Sequence, residues 1–202
     1  MNKLTLYTHP MSRGRIARWM MEELGQPYDT VLLDYGTTMK AAEYLRLNPM
    51  GKVPTVTHGD RVITECAAIC TYLADAFPEA GLMPADRAAF YRWMFFGAGP
   101  LEAAVVNRSL GVEITAEQKG RVGYGCFDDV VAALKGQLAQ HDFIAGPAFS
   151  AADVYVGSQI GWGLQFGTLP AEPEFAAYAA RLRDRPAARR ASQIDDAARG
   201  KP

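Results

Sequence analysis

The chain lacks most of the signatures that name a chemistry outright. Three cysteines leave an odd count and no disulfide framework, as expected of a chain in a reducing compartment. Cys66 and Cys70 are one helical turn apart. There is no second such pair, and His9, His58 and His141 are scattered, so the two read as small buried residues and no metal is expected. No Cys-x-x-Cys, glycine-rich phosphate loop or Gly-x-Ser-x-Gly turn occurs, which argues against dithiol redox chemistry, nucleotide binding and a serine-hydrolase nucleophile. A net charge of −1 gives no field that would draw nucleic acid or an anionic membrane. The arginines of the C-terminal stretch (Arg181, Arg183, Arg185, Arg189 and Arg190) alternate with Asp184, Asp195 and Asp196 and read as a solvated helical face. Long apolar runs are missing too. Arg13, Arg15 and Arg18 interrupt any signal-peptide core, and the uncharged run from Val154 to Ala171 contains Ser158, Gln159, Gln165 and Thr168 with four glycines. A cytoplasmic chain with no membrane span is expected.

What remains is an ordinary globular composition, 49% hydrophobic over 202 residues. A chain of this length buries about 70% of its unfolded surface, as one large domain or two modest ones. Lys3 to Tyr7 alternates as a strand and stops at Thr8-His9-Pro10. Arg13 to Leu24 puts Ile16, Trp19, Met20 and Leu24 on one helical face before Gly25. Val31-Leu32-Leu33 is a second strand, and Ala41 to Leu47 a short helix. Thr55–Thr57 and Val62-Ile63 form a hairpin, and Glu65 to Phe77 a helix ended by Pro78. The order is β-α-β-α-β-β-α. Beyond Pro84 only helical spacing is left, over 86–110, 115–140, 151–166, 174–184 and 187–197. The expected organisation is an α/β domain over 1–78, a proline-bounded linker, and an all-helical domain over 86–202. Phe149-Ser-Ala-Ala-Asp-Val154 has the form of a capping box at the start of a buried helix, whose Gly157 and Gly161 admit close neighbours. Tyr91, Trp93, Phe95 and Phe96 read mostly as core, with one or two of them able to line a pocket at the domain boundary.

Two stretches carry chemistry in combination. Asn48-Pro-Met-Gly-Lys-Val-Pro-Thr-Val56 starts an apolar strand with a Val-Pro bond. If that bond is cis, it turns the Val53 amide and carbonyl outward to pair with a peptide; otherwise Pro54 merely opens a strand, where no ladder donor is needed. Thr64-Glu-Cys-Ala-Ala-Ile69 begins a helix, whose first amides and dipole suit a carboxylate while Glu65 suits an ammonium. Taken alone, Glu65 complements the dipole and nothing more. Together the two stretches make a site for a small peptide. Ser12, before Arg13-Gly14-Arg15, is either a helix cap or a hydroxyl projecting from the mouth of the sheet, where a donor depresses a thiol pKa. Tyr7 is the competing hydroxyl, its structural role being to pack under the sheet.

Jointly these residues resemble the soluble glutathione transferase family over essentially the whole chain. The resemblance rests on Asn-Pro-x-Gly-x-Val-Pro at 48–54, a Glu-Cys-x-Ala-Ile variant of Glu-Ser-x-Ala-Ile at 65–69, the Ser-x-Ala-Asp helix start at 150–153, and His9-Pro-Met-Ser12, which is similar to the His-Pro-x-Ser of serine-type phi and theta-like classes. It implies a thioredoxin-like N-terminal domain, an all-helical C-terminal domain that supplies the electrophile pocket, and a homodimer. Glutathione is then the co-substrate and no metal is needed. It further implies that Ser12 (or alternatively Tyr7) activates the glutathione thiol, that Val53 pairs with the cysteinyl backbone, that Glu65 and Cys66 hold the γ-glutamyl end, and that Lys40 and Lys52 serve the glycine carboxylate. Cys66 stands where serine is usual, and Tyr7 lies further upstream of Arg13 than in the tyrosine-dependent classes. The implied activity is transfer of glutathione to small apolar electrophiles in detoxification. The same scaffold also serves glutathione-dependent isomerases, reductive dehalogenases, peroxidases and non-catalytic binding proteins.

Overall fold

The computed structural model describes residues 3–200. The chain groups into two compact units, one made of the residues before Leu82 together with those after Arg183, the other Leu82–Arg183.

In the first unit, β1 (Leu4–Thr8), α1 (Gly14–Leu24), β2 (Asp29–Leu32), α2 (Ala42–Leu45), β3 (Thr55–His58), β4 (Arg61–Thr64) and α3 (Cys66–Ala76) follow the expected order. The sheet runs β2-β1-β3-β4, with β1 parallel to β2 and antiparallel to β3. Alternation along β1 decides which side chains meet which layer. Leu4, Leu6 and Thr8 are buried, and Thr8 abuts the start of α1 at Gly14. Tyr7 faces the other way, onto a cluster of Leu33, Met39 and Tyr44. This is the thioredoxin-like arrangement.

The last helix, α9 (Pro186–Ala197), belongs to this first unit, whereas the sequence expectation kept all of 86–202 together. The reason is a set of ions on α1. Arg18 Nε donates to Asp195 Oδ1 at 2.6 Å with both side chains 1% exposed, and Arg18 also donates to Tyr28 and Thr30. Burial pushes the Asp195 carboxyl up, and the Arg18 guanidinium pulls it back. Around this pair, Arg185 grips Glu23 with two bonds (2.7 and 2.8 Å), Arg190 meets Glu22, and Arg15 meets Asp196. The basic C-terminal stretch is thus largely ion-paired.

The second unit contains α4 (Arg87–Phe96), α5 (Glu102–Ser109), α6 (Phe127–Leu138), α7 (Ala151–Phe166) and α8 (Pro173–Arg183). The helix expected over 86–110 is interrupted by a π-helical turn at Gly97–Leu101, which contains Pro100 and two glycines, and a proline cannot donate to the preceding turn. The helix expected over 115–140 begins only at Phe127, because Gly120, Gly123 and Gly125 precede it and Cys126 with Asp129 forms a capping box there. Trp93 is core, whereas Tyr91 and Phe95 are 44% and 74% exposed. In α7 every residue from Ala151 to Gly157 is buried. A Cβ on Gly157 would overlap Leu182, so that close approach is real, whereas Gly161 faces open space. Among the described residues no helix is long and apolar enough to cross a membrane.

The Ser150–Asp153 capping box is present and does more than cap. Asp153 accepts from the Ser150 amide (2.8 Å), the Ile144 amide (2.7 Å) and the Tyr178 hydroxyl (2.7 Å), all buried. Burial pushes its carboxyl up, and these donors oppose the shift.

Two stability predictions follow from these buried carboxylates. Asp195→Ala strands the Arg18 guanidinium and is expected to cost about 3–5 kcal/mol in urea unfolding, with a good part recovered in Arg18→Met/Asp195→Leu; equal losses in both would mean that the pair itself is not the cause. Asp153→Ala orphans several buried donors and is expected to cost about 3 kcal/mol, against about 1 kcal/mol for Ser150→Ala. Unfolding midpoints that coincide for the two variants would reduce Asp153 to a simple cap.

Candidate functional site

Every residue singled out for chemistry lies in the first unit, and three of its segments converge. The first is the turn from β1 into α1. Gly14 has no Cβ to offer, and a Cβ there would overlap Thr8 Oγ1 and lie 2.9 Å from Ser12 Oγ, so glycine leaves the Thr8 side chain its room at this turn. Ser12 then closes the turn from within. Its Oγ donates to the His9 carbonyl (2.7 Å) and accepts from the Gly14 amide (2.9 Å). The cap is therefore provided from one position before the helix boundary at Arg13. Half-buried at the C-terminal end of the sheet, this hydroxyl stands beside the first turn of α1.

The second segment is the start of α3. Glu65 is exposed and precedes the helix with φ 66° and ψ 123°, the only non-glycine positive φ among the described residues. Such a conformation costs on the order of 1–3 kcal/mol and is held by its surroundings. Cys66 follows, buried, and its thiol donates to the Arg13 carbonyl at 3.6 Å. That contact ties the N-terminus of α3 to the turn that carries Ser12. Cys70, one turn further, is fully buried, and burial pushes its thiol well up, so it is an inert core residue.

The third segment is the loop into β3. Val53–Pro54 is cis. The loop before it is fixed from below: the Tyr44 hydroxyl (2.6 Å) and the Asn48 side-chain amide (2.8 Å) both donate to the Lys52 carbonyl, and Tyr44 is also bonded to Thr55 Oγ1. Burial pushes the Tyr44 phenol up, so it stays a protonated donor. Lys40 reaches the same loop from the turn after β2, its ammonium donating to the carbonyls of Met50 (3.0 Å) and Gly51 (2.8 Å). It retains one further N–H, and the exposed Lys52 follows directly after its Gly51 contact.

The two candidate hydroxyls differ in setting. Tyr7 lies against the Tyr44 ring (centroids 5.8 Å apart) and packs on the Leu33–Met39–Tyr44 cluster, the structural role expected of it. Ser12 lies on the turn that touches α3. Several participants were not evident in sequence: Tyr44 and Asn48 as loop anchors, Thr8 as the surface Gly14 must clear, and Tyr35, whose hydroxyl donates to the Met11 carbonyl at 3.3 Å. Only Asn48, fixed before a proline, carried a local signal.

Comparison with known proteins gives a consistent result. Residues 2–75 match the family model for the glutathione S-transferase N-terminal domain. The chain is 31% identical over 175 residues to glutathione S-transferase A of Pleuronectes platessa, covering 80% of this chain and 77% of that one. Among solved structures it is similar to a sphingomonad glutathione S-transferase in complex with glutathione (TM-score 0.77, 30% identity, 95% and 98% of the two chains). It is also similar to the theta-class enzyme of Xanthomonas axonopodis pv. citri with glutathione bound (TM-score 0.75, 29% identity, 95% and 98%).

The turn itself is testable. Gly14→Ala is expected to destabilise the protein by about 1–3 kcal/mol through overpacking against Thr8. Adding Thr8→Ala is expected to restore most of that loss. Thermal unfolding of the two variants checks this, and a Gly14→Ala protein as stable as the parent would mean that the turn has room to spare.

Proposed function

Because the chain belongs to the soluble glutathione transferase family, we propose that it ionises the glutathione thiol with Ser12 and delivers the thiolate to a small apolar electrophile. The observation that carries this reading is the Cys66–Arg13 contact, which puts the Ser12 turn and the start of α3 at one edge of the sheet. The γ-glutamyl end of glutathione carries an ammonium and a carboxylate. Glu65 supplies the charge for the first and the α3 N-terminus the amides and dipole for the second. Val53, beside the cis bond, offers its backbone to the cysteinyl residue, which leaves the thiol facing the β1–α1 turn. Lys40 and Lys52 supply positive charge for the glycine carboxylate.

A free thiol of pKa about 8.5 is only a few per cent ionised at pH 7, and lowering it by about two units makes it roughly three-quarters thiolate. That shift is worth about 2.7 kcal/mol, within reach of one charge-assisted hydrogen bond acting with a helix dipole. Ser12 acts as donor only. The thiol proton leaves to water, the sulfur lone pair forms the new carbon–sulfur bond, and the leaving group departs with its electron pair. To donate to sulfur the hydroxyl must turn away from the His9 carbonyl, while the Gly14 amide keeps its oxygen in place. A homodimer, a detoxification role and a cytoplasmic location belong to the same proposal and are supported by family membership.

Thiolate absorbance against pH separates the two hydroxyls. Ser12→Ala is expected to raise the pKa of bound glutathione and to cut turnover about 10–100-fold with little change in glutathione affinity, because the hydroxyl meets mainly the charged sulfur. Tyr7→Phe is expected to be nearly silent. Loss of the thiolate in Tyr7→Phe and not in Ser12→Ala would reverse the assignment; absence of glutathione binding by the parent would sink the proposal.

A further inference from the structure

The Ser12 hydroxyl is held by a loop that has its own scaffold, and that scaffold centres on one imidazole. His9 contributes at two points. Its carbonyl accepts the Ser12 hydroxyl proton at 2.7 Å, and its Nδ1 accepts from the Met11 amide at 3.1 Å. A backbone N–H can only donate, so Nδ1 carries no proton and the neutral ring is protonated at Nε2. From the turn after β2, Tyr35 holds the same loop twice: its ring packs edge-on to His9 (centroids 4.7 Å, 60°) and its hydroxyl donates to the Met11 carbonyl at 3.3 Å. Both backbone polar groups of Met11, the residue before Ser12, are therefore engaged, the amide by His9 and the carbonyl by Tyr35.

We propose that His9 is the positioning residue of the Ser12 hydroxyl: its Nδ1 fixes the Met11 amide, its carbonyl accepts the Ser12 hydrogen bond until a thiolate replaces it as acceptor, and Tyr35 clamps the loop through the His9 ring and the Met11 carbonyl. The inference rests on the assignment of Ser12 as thiolate donor. It adds that the donor is preorganised by residues that need not touch glutathione. A hydroxyl on an unsecured loop would spend part of the thiolate's hydrogen bond on ordering that loop, whereas a secured one only exchanges one acceptor for another.

The two properties of the ring can be separated by substitution. His9→Phe keeps a ring against Tyr35 and removes the acceptor. His9→Asn removes the ring and places an oxygen where Nδ1 stands. With reduced glutathione as the probe, His9→Phe is expected to raise the bound-thiol pKa by about half a unit to one unit and to lower turnover about three- to tenfold at saturating glutathione, as loss of one hydrogen bond in the network implies. Glutathione affinity is expected to stay within about twofold, and His9→Asn to return the pKa close to the parent's. Tyr35→Phe, at an exposed position, is expected to give a smaller shift of the same sign. Ser12→Ala/His9→Phe is expected to shift no further than Ser12→Ala alone, since His9 acts through Ser12. A parental pKa in His9→Phe, alongside a shifted Ser12→Ala, overturns this inference and leaves the Ser12 assignment standing. A silent Ser12→Ala overturns both. Equal loss of affinity and pKa in His9→Phe and His9→Asn overturns it as well, because the ring would then be holding the fold and not the hydroxyl.

Discussion

Between Thr8 and Gly14 the chain leaves a strand and enters a helix, and one hydroxyl oxygen satisfies a backbone acceptor and a backbone donor on the way. The rest of the edge depends on that reversal. It brings the Arg13 carbonyl within reach of Cys66, and so sets the first turn of α1 beside the first turn of α3. Two helix N-termini at one edge concentrate positive dipole where an anion would sit, a field that no single residue supplies. The constraint is steric before it is electrostatic: a side chain at position 14 would run into that of Thr8.

The helical side of the first unit is fixed by charge in a way that most cores are not. Arg18, almost fully enclosed, is matched by Asp195 across more than half of the sequence, while Asp195 Oδ2 is left without a partner. Burying such a pair gives little net stability relative to an apolar replacement, but a mismatched neighbour would be severely penalised. The pair thus joins α9 to α1 through a matched, enclosed charge. Arg185 and Arg190 on Glu23 and Glu22 repeat the same pairing at the rim, in softer form.

Much of this was legible in the sequence because the informative residues are local. A proline after Val53, a glycine after Leu24 and a Ser-x-x-Asp box each act on their own few neighbours, and each sits where the spacing placed it. Alternation along Leu4–Thr8 and helical spacing over Ile16–Leu24 likewise put the right faces inward. What escaped was long-range or conditional. Asp195 reads as one of several acids on a solvated face until Arg18 is set beside it. Tyr35 is an unremarkable loop aromatic until the β1–α1 turn brings His9 against it. The broken helices at Gly97–Leu101 and before Phe127 escaped because apolar periodicity continues across glycines and prolines that the backbone does not tolerate in the same way. For the site, sequence pattern nominated the residues and already favoured Ser12 by its motif, while the structure adds the settings: Tyr7 packed on Tyr44, Ser12 on the turn beside α3.

Glu65 illustrates how such a site constrains the history of its own sequence. A residue with a side chain occupies a backbone region that suits glycine, so the position is locally at odds with the fold that contains it. Substitutions that relax the backbone there remove the carboxylate, and substitutions that keep a carboxylate keep the strain. If Glu65 meets the γ-glutamyl ammonium as proposed, stability and recognition pull this codon in opposite directions. Under that proposal, a lineage that no longer needed the ligand would let position 65 wander, with glycine, which tolerates this backbone region, its natural destination.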